Sequence, residues 1–349
     1  MMKKSRSNAK KNTLLLCVSI LFAMVLSEII VRLFNLSPTV SEIQLGHYRL
    51  SENPLVRFEL KKNAPYVHKD FQNFFTNSFG FVERDWTVPK EEDVTRIAVL
   101  GDSVTMAISV PYGQRYTDLL QNQLNQAFPA TTHEVLNLGV GGYNFLQEIA
   151  LFEEKYELIR PDMVIYGYCL NDANPVADGG VYQGLLDQMD REATSWLSSQ
   201  RKGLQNRMMR ALLRSHLFKL IYFHYTTSLK SGKSDPIMLR GSSYILETGF
   251  TILSTLKKRH GFKACIVIFP AFRDFSDYKY GSLHRLLIEK STQYGIEVFD
   301  LLQAFQKKSK EDGRDFRSTP EDYCHMNALG HQVAADAIFK NVFLKEHSP

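Results

Sequence analysis

The stretch that most restricts the fold of this chain is Arg96-Ile97-Ala98-Val99-Leu100-Gly101-Asp102-Ser103-Val104-Thr105, an apolar run of strand length that stops at a glycine and is followed two residues later by a serine. A strand apolar on successive residues is buried on both faces, which is the condition of a parallel sheet. Open α/β sheets do their chemistry just beyond the carboxyl edge, and Ser103 falls there. Serine is also favoured as a helix N-cap, so the position alone leaves a cap and a nucleophile both open.

The rest of the chain repeats the pattern. Glu134-Val135-Leu136-Asn137-Leu138 reads as a second strand running into Gly139-Val140-Gly141-Gly142-Tyr143-Asn144, and Met163 to Tyr168 as a third, with Asn171-Asp172 just past its end. Ala264 to Phe269 and Ile296 to Phe299 read as a fourth and a fifth. Between them, helical spacing of apolar residues marks Tyr116 to Leu124, Phe145 to Tyr156, and segments around 243–259 and 281–294; a last helix runs over Asn327 to Ala337 with Asn327 as its N-cap. Strand and helix in alternation predict a three-layer α/β/α fold around a central parallel five-stranded sheet.

A serine hydroxyl becomes a useful nucleophile when a base takes its proton, and imidazole titrates near neutrality. Near the C-terminus, Asp322-Tyr323-Cys324-His325 supplies both a base, His325, and a carboxylate three residues earlier that can come round one turn to the far ring nitrogen. Attack on an acyl carbonyl puts negative charge on its oxygen, and each donor aimed there is worth roughly 3 to 4 kcal/mol. The candidate donors are the backbone N–H of Ser103, a backbone N–H of the glycine turn, and the side-chain amide of Asn171.

Taken together, the segments around Ser103, the Gly139–Gly142 turn, Asn171 and His325 resemble the four sequence blocks of the SGNH (GDSL-type) hydrolase family, in the same order and over about 95 to 340. The resemblance implies a flavodoxin-like α/β/α domain and an ester-cleaving activity with Ser103, Asp322 and His325 as catalytic residues. It also picks Gly142, five residues after Asn137, as the oxyanion glycine beside Ser103 and Asn171. Gly139 and Gly141 are then expected to be turn residues with unusual backbone angles. Where family members commonly have further glycines after the serine block, this chain has Ala107 and Ser109, which leaves the shape of that loop open.

The N-terminus has a different character. Residues 1–12 carry Lys3, Lys4, Arg6, Lys10 and Lys11 and no acid, and account for much of the formal charge of +5. No nucleic-acid partner is expected from so local a basicity. Residues 13–34 are then apolar apart from a few positions, long enough to cross a bilayer as a helix, for which about 20 residues suffice. Glu28 lies toward the far end, where it can reach the interface or pair with Arg32 four residues on. The basic flank predicts a cytoplasmic N-terminus and an extracytoplasmic remainder. A cleaved signal peptide is the rival, but no small-x-small cleavage site is evident, and Leu16 before Cys17 does not suit a lipobox. Residues 37–94 read as a lead-in packed on the catalytic domain at 95–345, and residues 178–240 as a helical insertion with basic stretches, either a cover or a membrane-facing lid.

Other readings fall away. The glycine turn lacks the last glycine of a dinucleotide loop, since position 144 is Asn144, and neither a P-loop nor a GxSxG elbow is present. Asp322, His325 and His331 lack a second ligand cluster at metal spacing, so no metal and no cofactor are expected, and His331 reads as structural. Of the four cysteines, Cys17 lies in the apolar helix and Cys324 in the catalytic loop. Cys169 and Cys265 are expected as buried free thiols, although a bridge between them is conceivable outside the cytoplasm. Asp172 is expected to brace the Asn171 loop. The expected activity is a membrane-anchored serine esterase acting on an acyl, chiefly O-acetyl, ester of a cell-surface glycan or lipid. An O-acyltransferase using the same residues and a non-catalytic glycan-binding scaffold are the alternatives, the second disfavoured by retention of every reactive group.

Overall fold

The computed structural model of the chain describes residues 2–34, 46–66, 74–174, 215, 217 and 243–344. These divide between two compact units, one of residues 1–39 with 188–236 and one of 40–187 with 237–349.

In the first unit, helix α1 runs over Met2–Leu33. Its segment Lys11–Leu33 has a mean hydropathy of 2.7 and is long and apolar enough to cross a membrane. Leu14, Leu15, Leu21 and Phe22 are exposed along it, an outer surface suited to lipid rather than water. Glu28 is paired, as anticipated: it accepts from Nε of Arg32 at 2.7 Å, and also from the Ser215 hydroxyl at 2.7 Å and the Leu217 N–H at 2.8 Å. Apart from Ser215 and Leu217, the insertion expected at 178–240 lies outside the described residues.

The second unit opens with two short antiparallel pairs, β1 (Tyr48–Leu50) with β2 (Phe58–Leu60) and β3 (Pro65–Tyr66) with β4 (Phe74–Phe75). Phe58, Leu60, Phe81 and Trp86 of this segment are buried in the same core as Phe145 and Ile149. Polar ties fasten it further, among them Gln147 Nε2 to the Val56 carbonyl at 2.9 Å and the buried Lys155–Glu59 pair at 3.2 Å. Asn77 shapes the following turn by accepting from the N–H groups of Phe79 and Phe81.

The sheet itself comprises β5 (Val94–Gly101), β6 (Thr132–Asn137), β7 (Met163–Tyr168), β8 (Lys263–Ile268) and β9 (Glu297–Asp300), all parallel, in the order β6-β5-β7-β8-β9. Each strand's alternation divides the interior. Ala98, Leu100, Val164, Tyr166, Ile266 and Ile268 face one core, while Ile97, Val99, Ile165 and Val267 face the other. The first core is covered by α4 (Phe145–Ile159), α5 (Ser243–His260) and α6 (Gly281–Gln293). The second is covered by α3 (Tyr116–Ala127), α7 (Leu302–Asp312) and α8 (Ala328–Ile338). The predicted three layers and five strands are therefore present, with strand ends shifted by a residue or two.

Helix α7 was not foreseen. Its apolar stripe is little more than Leu302 and Phe305, followed by a charged run, too narrow to register as a helical period. Because chain direction from β5 leads to β6 on one side and from β7 to β8 on the other, the sheet has its topological switch point between the carboxyl ends of β5 and β7. Ser103 and Asn171 follow those two strands.

Candidate active site

Helix α2 (Ser103–Met106) is a single turn set directly on the end of β5. The side chain of Asp102, not Ser103, caps it, accepting from the Val104 N–H at 2.8 Å. The cap reading of Ser103 is thereby removed, and its hydroxyl is left for other work. Ala107, in the left-handed region at φ 56°, ends the turn.

The loop before α8 brings the remaining groups to this point. His325 Nε2 lies 2.8 Å from Ser103 Oγ, and His325 Nδ1 lies 2.8 Å from Asp322 Oδ2. Asp322 is itself fixed: its Oδ1 accepts from the N–H groups of Cys324 and His325, both at 3.0 Å, and its Oδ2 from the Ser318 hydroxyl at 2.8 Å. The loop is held where it enters α8. Ser109 donates to the Met326 carbonyl at 2.7 Å, and the predicted N-cap of α8 is present, Asn327 Oδ1 accepting from the Gly330 N–H at 3.0 Å. The His325 side chain keeps 29% of its surface exposed, so a substrate can reach it.

Burial opposes charge on both members of the pair, but their mutual hydrogen bond together with the neighbouring groups outweighs it. Asp322 is held well below the usual carboxylate range because the His325 ring and two backbone N–H groups outweigh its desolvation. Desolvation lowers His325, yet the hydrogen bonds to Asp322 and Cys324 raise it well above 6.5. Asp102, fully buried, is pushed up by desolvation, which its bonds to Val104 and Asn171 only partly offset.

The proposed donors come from the segments that follow β5, β6 and β7. Among the described residues neither the Ser103 nor the Gly142 backbone N–H has an acceptor. Asn171 donates one amide hydrogen to Asp102 Oδ2 at 3.0 Å, which fixes the plane of its amide and leaves the second hydrogen to point elsewhere. The glycine turn differs from expectation. Gly142 itself holds the positive φ, at 82°, whereas Gly139 and Gly141 do not. Gly139 is needed for close approach instead: a Cβ there would sit 2.3 Å from the backbone nitrogen of Met106 in α2. Gly141 faces the serine, its position for a Cβ lying 3.7 Å from Ser103 Cβ.

Several contributors escaped the sequence reading. Asn137 pins the turn to α2, giving its amide to the Thr105 carbonyl at 2.6 Å and accepting from the Gly139 N–H at 3.1 Å. Ser318 carried no motif. Beneath the Asn171 loop, the Tyr166 hydroxyl lies against both Glu148 Oε2 and Asp172 Oδ2, the latter at 3.0 Å. Asp172 does brace the loop, accepting from the Cys169 N–H at 2.9 Å. One phenol proton cannot serve two carboxylates, an arrangement that favours a neutral acid, in keeping with the burial that raises both well above their ordinary values. No spacing rule flags such a trio, because its members come from α4, β7 and the loop after it.

Asn144, where a dinucleotide loop would have glycine, is the N-cap of α4 in a capping box with Gln147. His331 lies apart from the relay, buried between α8 and α3, with Nδ1 accepting from the Tyr116 N–H at 3.3 Å; burial pulls it down to about 3. Asp322, Cys324 and His325 each offer a ligand atom within 4.8 Å of one another, a spacing that suits a cation as well as a proton relay. A relay also accounts for Ser103 on the far ring nitrogen, which a cation does not. Cys169 and Cys265 are both buried free thiols.

No family model and no curated protein sequence matches the chain. Among solved structures it is similar to the acetyl xylan esterase AlAXEase, at 15% identity over 71% of this chain and 100% of that one, with a TM-score of 0.42. It is also similar to TesA, at 11% identity over 72% of this chain and 99% of that one, with a TM-score of 0.43. A catalytic mutant of Axe2, an acetylxylan esterase from Geobacillus stearothermophilus, aligns at 14% identity over 71% of this chain and 94% of that one, with a TM-score of 0.43.

Proposed function

We propose that this chain is a serine esterase of the SGNH type, with Ser103, His325 and Asp322 as its triad and Ser103, Gly142 and Asn171 as its oxyanion donors. The observation that carries the reading is the unbroken relay from Ser103 Oγ through His325 to Asp322, 2.8 Å at each step. His325 takes the hydroxyl proton as Ser103 attacks the ester carbonyl, and Asp322 holds the ring in the tautomer that exposes Nε2 as acceptor and stabilises the imidazolium that forms. The tetrahedral oxyanion is met by the N–H donors. His325 then protonates the departing alcohol, and a water activated by the same ring hydrolyses the acyl-enzyme.

In this reading residues 13–34 are an uncleaved anchor with the N-terminus in the cytoplasm. Residues 37–94 form a lead-in packed on the hydrolase domain, and 95–345 form that domain with an insertion at 178–240, outside the inner membrane face. The substrate is an acyl ester, chiefly O-acetyl, of a surface glycan or lipid.

The test is initial-rate turnover of an aryl acetate and of O-acetylated glycans by the full chain in detergent. Acetate release that requires Ser103, His325 and Asp322 supports the proposal. Equal rates for wild type and Ser103→Ala would end it.

A further inference from the structure

The lead-in segment reaches the site through one side chain. Tyr48 of β1 is buried, and its ring packs edge-on against Phe58 at 5.2 Å and Tyr66 at 6.5 Å. The antiparallel pairing of β1 with β2, Tyr48 opposite Leu60, fixes where that ring stands. Its hydroxyl donates to the Gly141 carbonyl at 3.4 Å, across 93 positions of sequence. A Cβ on Gly141 would lie 3.4 Å from that hydroxyl and 3.7 Å from Ser103 Cβ, so the contact is made beside the nucleophile. The tie is returned one residue past the glycines, where the Tyr143 hydroxyl donates to the Phe58 carbonyl.

The carbonyl that Tyr48 holds belongs to the same peptide group as the Gly142 N–H. Peptide groups are planar and trans, so the N–H points opposite to the C=O, and fixing one aims the other. Residues 140–143 form a β-turn closed by the Tyr143 N–H on the Val140 carbonyl at 3.3 Å, and Gly142 in its third position has φ 82°. That is the signature of a type II turn. A type I turn joins the same ends with the central peptide, 141–142, rotated by about half a turn, and glycine at both central positions permits either. Which way the central N–H points is therefore decided by contacts outside the turn. The Gly141 N–H is taken by Met106 Sδ at 3.3 Å, and the Gly141 carbonyl by Tyr48. The Gly142 N–H has no acceptor among the described residues.

We propose that Tyr48 is a positioning residue for the reaction: its hydroxyl holds the 141–142 peptide in the type II arrangement and so aims the Gly142 N–H at the oxygen of the ester carbonyl. The proposal rests on the esterase reading, in which Gly142 is an oxyanion donor, and gives the lead-in segment a part in it. Without the hydroxyl the central peptide is released to rotate, and in the type I arrangement its carbonyl oxygen stands where the N–H stood. An oxygen there repels the charge that develops on the substrate carbonyl instead of stabilising it. The neutral carbonyl of the bound ester is affected less, so the loss falls on the transition state.

The experiment compares wild type, Tyr48→Phe and Ser103→Ala, each as the full chain in detergent, with an aryl acetate as substrate and phenylboronic acid as inhibitor. The boronate adduct of Ser103 places an oxygen where the oxyanion would be, and its Ki, like KM, does not depend on what fraction of a preparation is folded. Tyr48→Phe keeps the ring and is expected to keep the wild-type Tm. Its kcat should fall at least about tenfold with KM little changed, and phenylboronic acid should bind more weakly by a similar factor; complete loss of one oxyanion donor, about 100- to 1,000-fold, is the ceiling. The proposal is overturned if Tyr48→Phe keeps the wild-type kcat and Ki, or if kcat falls while Ki does not, the pattern of a merely structural loss. Turnover that survives Ser103→Ala would instead sink the esterase reading, and the role of Tyr48 with it, so the two failures are read on different variants.

Discussion

At the scale of single residues, the account hangs on which atom faces Ser103 Oγ. Ser103→Ala is expected to lower kcat/KM on an aryl acetate at least about 1,000-fold, as loss of one member does in other serine triads, whereas Cys324→Ala costs at most about tenfold. Equal losses would mean that the nucleophile is misassigned. The pH profile gives a second check. His325 must be neutral to act as base, and its raised pKa places the acid limb of kcat/KM above pH 6.5, with activity climbing as the ring deprotonates. Stability responds in the opposite sense. The contribution from His325 is complete below 6.5 and is lost as pH rises through the folded value, while that from Asp322 is present above 3.8 and lost as pH falls through its lowered value. Their pairing therefore stabilises most between 3.8 and 6.5, on the acid side of the activity.

At the scale of elements, the site depends on how closely the turn after β6 approaches α2. Gly139→Ala would put a methyl group against the Met106 backbone, and overpacking of this kind costs about 1–3 kcal/mol. A lowered Tm with lowered kcat is expected; an unchanged Tm would show that the turn has room to spare. Much of this level was legible in the chain. The apolar runs at 97–100 and 163–166 announced strands buried on both faces, and Asn327 announced the start of α8. Less was legible where an interaction joins distant segments. Asn171 on Asp102 and His325 on Ser103 are products of the sheet order, which brings loops after separate strands to one edge. The glycine turn was misjudged for a related reason: the need for glycine at 139 comes from a neighbour 33 residues earlier in sequence, Met106, not from the turn's own angles.

At the scale of the whole molecule, two features link the fold to its conditions of work. The trio of Glu148, Tyr166 and Asp172 places acids with raised pKa under the site, a contribution to stability complete below 4.5 for Glu148 and lost as pH rises through its folded value. Glu148→Gln should therefore raise Tm at pH 8, with the difference from wild type shrinking toward pH 4; a Tm lowered at pH 8 would show that the carboxylate is needed there. Helix α1 exposes an apolar surface over Lys11–Leu33, and the full chain is expected to stay with membranes through alkaline carbonate extraction, a behaviour lost on deletion of residues 1–34. The central claim remains that Ser103 is activated by His325. Its most direct test is an active-site-directed fluorophosphonate, with the adduct located by peptide mass. The account predicts a single adduct on Ser103 that forms at least about 100-fold more slowly in His325→Ala, as loss of a general base requires. Labelling of another residue, or labelling of Ser103 at the same rate without His325, would contradict it.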